Sequence, residues 1–321
     1  MSQPLVFLGS LSLVACADLL AADNYPTKPI RIVVSAAAGG GTDFVARVLE
    51  NPISEQLKQP MVIDNRGGAG GIVGADIVAR SWPDGYTLLM TFVNFSIYPS
   101  LHSKLSFDPV KDFAPILMLA TTPLILVVNP KLPAATVKEL IALGRARDAT
   151  LSYASPGVGS LGHLAGELFK SMTKIEITHV PYKGGGPSLT ATIGGEVQVF
   201  FSTMPSALAQ IKAGRLRGLA VTSAKRAGSA PNIPTIAEFG VPNYDVTGWF
   251  GVLAPSNTPR NVILRLNQAF TKALAGPGIT EQFVSGGLEP GGSTPEQFAA
   301  MVRSDVSKWT KLVNEAGIRA E

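Results

Sequence analysis

Cysteine is nearly missing from this chain of 321 residues: Cys16 is the only one, which excludes an internal disulfide and any cysteine-based metal site. Charged residues make up only 16% and aromatics 7%, against 46% hydrophobic residues, 33 glycines and 24 prolines. That balance excludes a disordered chain or a coiled coil and suits a turn-rich α/β protein. No block of Lys or Arg occurs and the net charge is only +4, so nothing supports a nucleic-acid partner. The histidines His102, His163 and His179 show no ligand spacing, so neither a metal nor a cofactor is expected. Beyond the first 22 residues no apolar run approaches the ~20 residues that span a bilayer.

Those first 22 residues hold no Lys or Arg and a single acid, Asp18. Residues 5–22 are apolar with small residues near the end, so 1–22 is expected to be an export signal. Cleavage after Ala17 or Ala22 fits, and Leu13-Val14-Ala15-Cys16 also reads as a lipobox that would leave Cys16 lipidated. Periplasmic residence follows as an expectation.

The centre of the sequence argument is Ser35-Ala36-Ala37-Ala38-Gly39-Gly40-Gly41-Thr42-Asp43. It follows an apolar strand pattern at 30–34 and leads into a helical pattern at 42–57, in which Pro52 is expected to kink or end the helix near Asn51. A glycine turn between strand and helix exposes unpaired N–H groups at the positive end of the helix dipole, which favours an anion. Ser35, Ala38, Gly39, Gly40, Thr42 and Asp43 are therefore candidate ligand residues. Thr42 or Asp43 serves equally as a helix cap.

The logic repeats along the chain. Asp64-Asn65-Arg66-Gly67-Gly68-Ala69-Gly70-Gly71-Ile72-Val73-Gly74 is a second glycine loop whose Gly68, Gly70 and Gly74 imitate a nucleotide turn. A third strand, at 86–90, leads to Phe92 and Asn94, placed where α/β sheets bind ligands. Phe92 fits a core position equally well. Ser155, Gly159 and Ser160 form another glycine turn ahead of a helix, with His163 one turn in. Ser160 caps or donates to an anion; His163 is structural or touches ligand. Tyr182, Lys183 and Gly184 open a further strand–glycine–helix unit, with Pro187 expected at the first helical position, and a strand expected at 197–201 leads to Ser202 and Thr203. Apolar runs at 116–128 and 249–254 read as two strands crossing between domains. The expected architecture is an α/β clamshell of two domains, each a mainly parallel sheet flanked by helices: 25–127 with 253–321, and 128–252.

Several ordered segments carry a family resemblance: Gly39-Gly40-Gly41-Thr42-Asp43, Asn65-Arg66, Pro83-Asp84-Gly85-Tyr86-Thr87-Leu88, Asp108-Pro109-Val110-Lys111-Asp112-Phe113, His163-Leu164-Ala165-Gly166-Glu167 and Val180-Pro181-Tyr182-Lys183-Gly184. From Tyr25 to Ile318 the chain resembles the periplasmic substrate-binding receptors of tripartite tricarboxylate transporters, the Bug or TctC-like receptors. The resemblance implies a type II-like binding-protein clamshell, monomeric and not an enzyme, that delivers a carboxylate to membrane transporter subunits. It also implies that the first loop and the loops at 155–160 and 182–186 grip the carboxylate, partly through water. Two departures stand out: Ser35 and Ala36 replace the family's proline and aromatic, and Ser202 stands where members that bind amino acids carry an acid. A dicarboxylic or aromatic carboxylic acid is therefore the expected ligand. The competing readings are a ligand-sensing co-receptor of a membrane kinase and a nucleotide-cofactor enzyme. Against the latter, Val158-Gly159-Ser160-Leu161-Gly162 misses the nucleophile elbow.

Overall fold

The computed structural model describes residues 25–102, 104–146 and 150–315. The expected export signal and Cys16 lie outside the described residues. In chain order the elements are β1 (Ile30–Val34), α1 (Gly41–Leu57), β2 (Met61–Asn65), α2 (Ile72–Ala79), β3 (Thr87–Phe92), α3 (Asn94–Leu101) and β4 (Phe113–Val128). There follow α4 (Val137–Gly144), β5 (Ser152–Ser155), α5 (Leu161–Thr173), β6 (Thr178–Pro181), α6 (Gly185–Gly194), β7 (Val199–Thr203), α7 (Met204–Lys212) and β8 (Arg217–Val221). The chain closes with β9 (Thr247–Pro255), α8 (Arg260–Leu274), α9 (Pro277–Ser285), β10 (Glu289–Pro290) and α10 (Pro295–Glu315).

Two parallel groups make up the clamshell. β2-β1-β3 is parallel, as is β7-β5-β6, and the antiparallel strands β9 and β4 lie between the groups. β1 reads Ile-Arg-Ile-Val-Val with all but Arg31 buried, the run expected of a strand covered on both faces. β4 is shared: from Phe113 to Pro123 it pairs with β9, and from Leu124 to Val128 with β7. The changeover falls at Pro123, which has no N–H to give to a ladder.

Pro52 does not end its helix. α1 continues to Leu57 because Ile53 and Leu57 extend the buried stripe of Val45 and Leu49, and this packing outweighs the lost bond. Pro187 stands third in α6 rather than first, since Gly185 and Gly186 are already helical. Helix α3, set among polar and aromatic residues without clear periodicity, is a finding of the structure, as is α9. α4 and α10 begin with reciprocal capping boxes, Thr136 with Glu139 and Thr294 with Gln297.

Candidate functional site

The carboxyl ends of β1, β3 and β7 and the N-termini of α1, α5 and α6 converge on a cavity of about 50 Å³ between the lobes. At ~10–15 Å³ per water, it has room for a few waters or one small polar group such as a carboxylate, so any longer occupant must hold the lobes further apart than they stand here. Ser35, Gly40, Thr42, Phe92, Asn94, Ser160, Gly184 and Thr203 line it, all of them anticipated from the sequence. Ala36, Gly41, Gly68, Gly70, Gly71, Leu124, Pro156, Leu161, Gly162, Gly185, Phe200 and Phe201 complete the lining. None of these residues carries an ionisable side chain. Any charge on an occupant must be met by amides, hydroxyls and helix dipoles.

The three helix ends are not equivalent. In α1 no side chain caps Gly40, and the first amide with a backbone partner is Phe44, donating to Gly40 O at 3.0 Å. Among the described residues the N–H groups of Gly41, Thr42 and Asp43 therefore have no partner within the chain. α6 is likewise uncapped at Gly184; its first backbone bond is Ser188 N to Gly184 O at 3.3 Å, and Pro187 has no N–H, which leaves Gly185 and Gly186 as donors. α5 is nearly closed. Leu161 N donates to Asn94 Oδ1 at 2.7 Å, His163 N to Ser160 Oγ at 3.2 Å and Leu164 N to Ser160 O at 3.0 Å. Only Gly162 N is left over. Ser160 is thus an N-cap, while its hydroxyl proton stays free to donate.

The other anticipated residues stand around this cavity rather than on it. Asp43 is buried; its Oδ2 accepts from Gly39 N at 2.9 Å and from Arg47 Nε at 3.0 Å, so it braces the turn at Gly39. Ser155, Gly159 and His163 belong to a layer behind the wall: Ser155 Oγ lies 2.6 Å from His179 Nε2, Gly159 N donates to His163 Nδ1 at 3.3 Å, and the two imidazoles stack at 4.3 Å. Burial first, then the neighbouring His163 and Lys170, pushes His179 down to about 3, so the His179 ring is neutral at pH 7. Ala38, Gly39 and Tyr182 line an outer groove with Pro187 and Glu196. Lys183 is exposed. Ser202 is fully buried in β7, its Oγ on Thr203 O at 3.2 Å, and does not line the cavity.

The second glycine loop belongs to the lobe seam. A Cβ on Gly70 would stand 2.6 Å from Val158 O across the lobes, and one on Gly74 2.8 Å from Ser35 Cα. These glycines serve close chain packing, which removes the reason to read them as a nucleotide turn. Apolar lining residues such as Leu124, Phe200 and Phe201 had no distinguishing signal in the sequence, because a strand residue on a cavity reads like one in a core. Gly41, Gly70 and Gly185 sat in glycine loops already recognised. Among the described residues no group of three or more His, Cys, Asp or Glu could hold a metal.

The profile of the tripartite tricarboxylate transporter family receptor matches residues 45–318. Protein BugT of Bordetella pertussis is 38% identical over 306 residues, 94% of this chain and 93% of its own. Among solved structures, R. palustris Rpa4515 with adipate shares 38% identity with a TM-score of 0.89, covering 92% of this chain and 99% of that one. MatC from Rhodopseudomonas palustris with bound malate shares 29% identity with a TM-score of 0.86, covering 90% and 100%.

Proposed function

The chain belongs to the tripartite tricarboxylate transporter receptor family, a family of periplasmic solute receptors and not of enzymes, and on that premise we propose that it captures a small carboxylate between its lobes and delivers it to a membrane transporter. The observation that carries this reading is a cavity into which two uncapped helix N-termini open and which no ionisable side chain lines. Such a site favours an anion through amide donors and dipoles. It offers no carboxylate to an ammonium group.

Within this reading the first carboxylate sits against the amides of Gly41 and Thr42 and that of Gly185, with the hydroxyls of Ser160 and Thr203 in reach. Phe92, Leu124, Pro156 and Phe200 supply an apolar wall that suits the carbon chain or ring of a dicarboxylic or aromatic acid. The relatives solved with adipate and with malate support the dicarboxylic class. The lobes are 25–127 with 253–321, and 128–252, a division supported by the change of partner along β4 at Pro123. The protein acts as a monomer in the periplasm after export, its ligand passing unchanged to the transporter subunits.

Calorimetry on protein purified, unfolded and refolded to strip carried ligand tests the reading. Heat is expected with C4–C6 dicarboxylates or with benzoate-type acids. Binding of aspartate or glutamate without binding of such acids would sink it.

A further inference from the structure

Asn94 begins α3 in one lobe and reaches the other. Its Oδ1 accepts from Leu161 N at 2.7 Å, and its Nδ2 donates to Gly70 O at 3.0 Å, both within buried surroundings. These partners settle which end of the carboxamide is which, because only an acceptor can meet the Leu161 N–H and only a donor the Gly70 carbonyl. A carboxamide has two N–H groups, and Gly70 takes one. The second remains for whatever enters the cavity that Asn94 lines.

The neighbouring carbonyl is also committed. Gly70 O accepts from Tyr98 Oη at 3.2 Å as well as from Asn94, so both of its lone pairs are used. Burial raises the Tyr98 phenol far above its ordinary pKa, which keeps that donor protonated. This side of the cavity therefore presents a free N–H, and the two acceptors beside it, Gly70 O and Asn94 Oδ1, already take protein donors.

Building on the carboxylate reading above, we propose that Asn94 is a specificity-determining residue: its free N–H meets a carboxylate or carbonyl oxygen and not an ammonium group, so that the receptor distinguishes a dicarboxylate from the amino acid of the same skeleton. An ammonium placed there would meet the Asn94 N–H with its own donors and leave them unpaired, and a buried unpaired charge is strongly disfavoured. Asn94→Asp keeps an acceptor for Leu161 N–H but puts a charged acceptor where the N–H stood, which turns that point of the wall against a carboxylate and gives up the bond to Gly70 O. Asn94→Ser leaves a hydroxyl that can turn either way.

The test is the affinity ratio within two pairs that differ by one ammonium group, succinate against L-aspartate and adipate against L-2-aminoadipate, measured by calorimetry on the refolded full chain. The wild type is expected to favour the diacid by at least tenfold. In Asn94→Asp the ratio falls at least tenfold, and in Asn94→Ser it narrows. A residue that only holds the lobes together would weaken both members of a pair alike, so an unchanged ratio in these variants overturns the proposal while the wild-type binding still upholds the carboxylate reading. If circular dichroism shows Asn94→Asp unfolded, the Asn94→Ser ratio decides on the same terms. A wild type that takes none of the acids fails the carboxylate reading, and this proposal with it.

Discussion

Gly186 of α6 packs directly on the carbonyl of Ala38 in the opposite lobe, so closely that a methyl group on Gly186 would run into that oxygen. The same holds along the seam: a Cβ on Gly67 would stand 3.0 Å from Lys183 O, and one on Gly157 2.7 Å from Gly70 N. The lobes thus close backbone against backbone. Amides can approach a shared guest only because these side chains are missing.

Gly186→Ala separates closure from stability. Alanine favours a helix over glycine by ~1 kcal/mol, so the melting temperature should hold or rise slightly while the clash with Ala38 keeps the lobes apart. Carboxylate affinity should drop at least tenfold in calorimetry. Gly194→Ala, at the far end of α6 with nothing within 4 Å, is the control and should leave affinity unchanged.

Asp43 supports the first loop through Gly39 N and Arg47. Asp43→Ala leaves that amide and its turn without an acceptor, and urea unfolding should show a loss of ~1–3 kcal/mol. Asp43→Asn retains an acceptor for Gly39 and should lose less. Equal losses would show that the brace is electrostatic rather than a hydrogen bond.

Trp249 in β9 donates from Nε1 to Asp305 Oδ2 of α10 at 2.6 Å, tying the crossing strand to the last helix. Burial raises the Asp305 pKa, only partly offset by the Trp249 bond and Lys308, so the folded state holds its proton more tightly than the unfolded one. Its stability contribution is then greatest below the unfolded pKa and is lost as pH rises through the raised value. Asp305→Asn should accordingly be neutral or stabilising at pH 7, whereas Asp305→Ala, which orphans the indole N–H, should cost ~1–3 kcal/mol. Paired thermal melts decide between them.

His179 is neutral in the folded protein far below its ordinary pKa, held so mainly by burial and then by His163 and Lys170. Between pH 6.5 and about 3 the unfolded chain binds the extra proton and the folded one does not, so stability falls as pH is lowered through that window. His179→Gln can keep the bond to Ser155 without titrating. Its melting temperature should fall less steeply over this range than the wild type's; parallel curves would refute the assignment.

Much of the fold could be read directly. Ile30 to Val34, the glycines behind it and the stripe Val45, Leu49, Ile53 and Leu57 are local patterns, and local patterns specify strand, turn and helix. Pro52 left open whether the helix ended near Asn51, because its cost is local while the burial that carries α1 to Leu57 is not. Helix α3 escaped notice because Asn94, Phe95 and Ser96 are all buried, so no polar face marks its period.

In the candidate site the same divide holds. Glycine turns ahead of helices announced that amide donors would gather, since a turn and the helix end beside it are specified within a few residues. Ser155 and His163 looked like their neighbours in sequence but lie behind the wall, paired into the histidine layer.

By itself the sequence determined the repeated strand–glycine–helix units, and with them a supply of unpaired N–H groups at several helix ends, because each depends only on adjacent residues. Tertiary structure alone decided which of those ends stay open. Asn94 closes the end at Leu161 from 67 positions away, and only folding brings a carboxamide to an amide over such a separation.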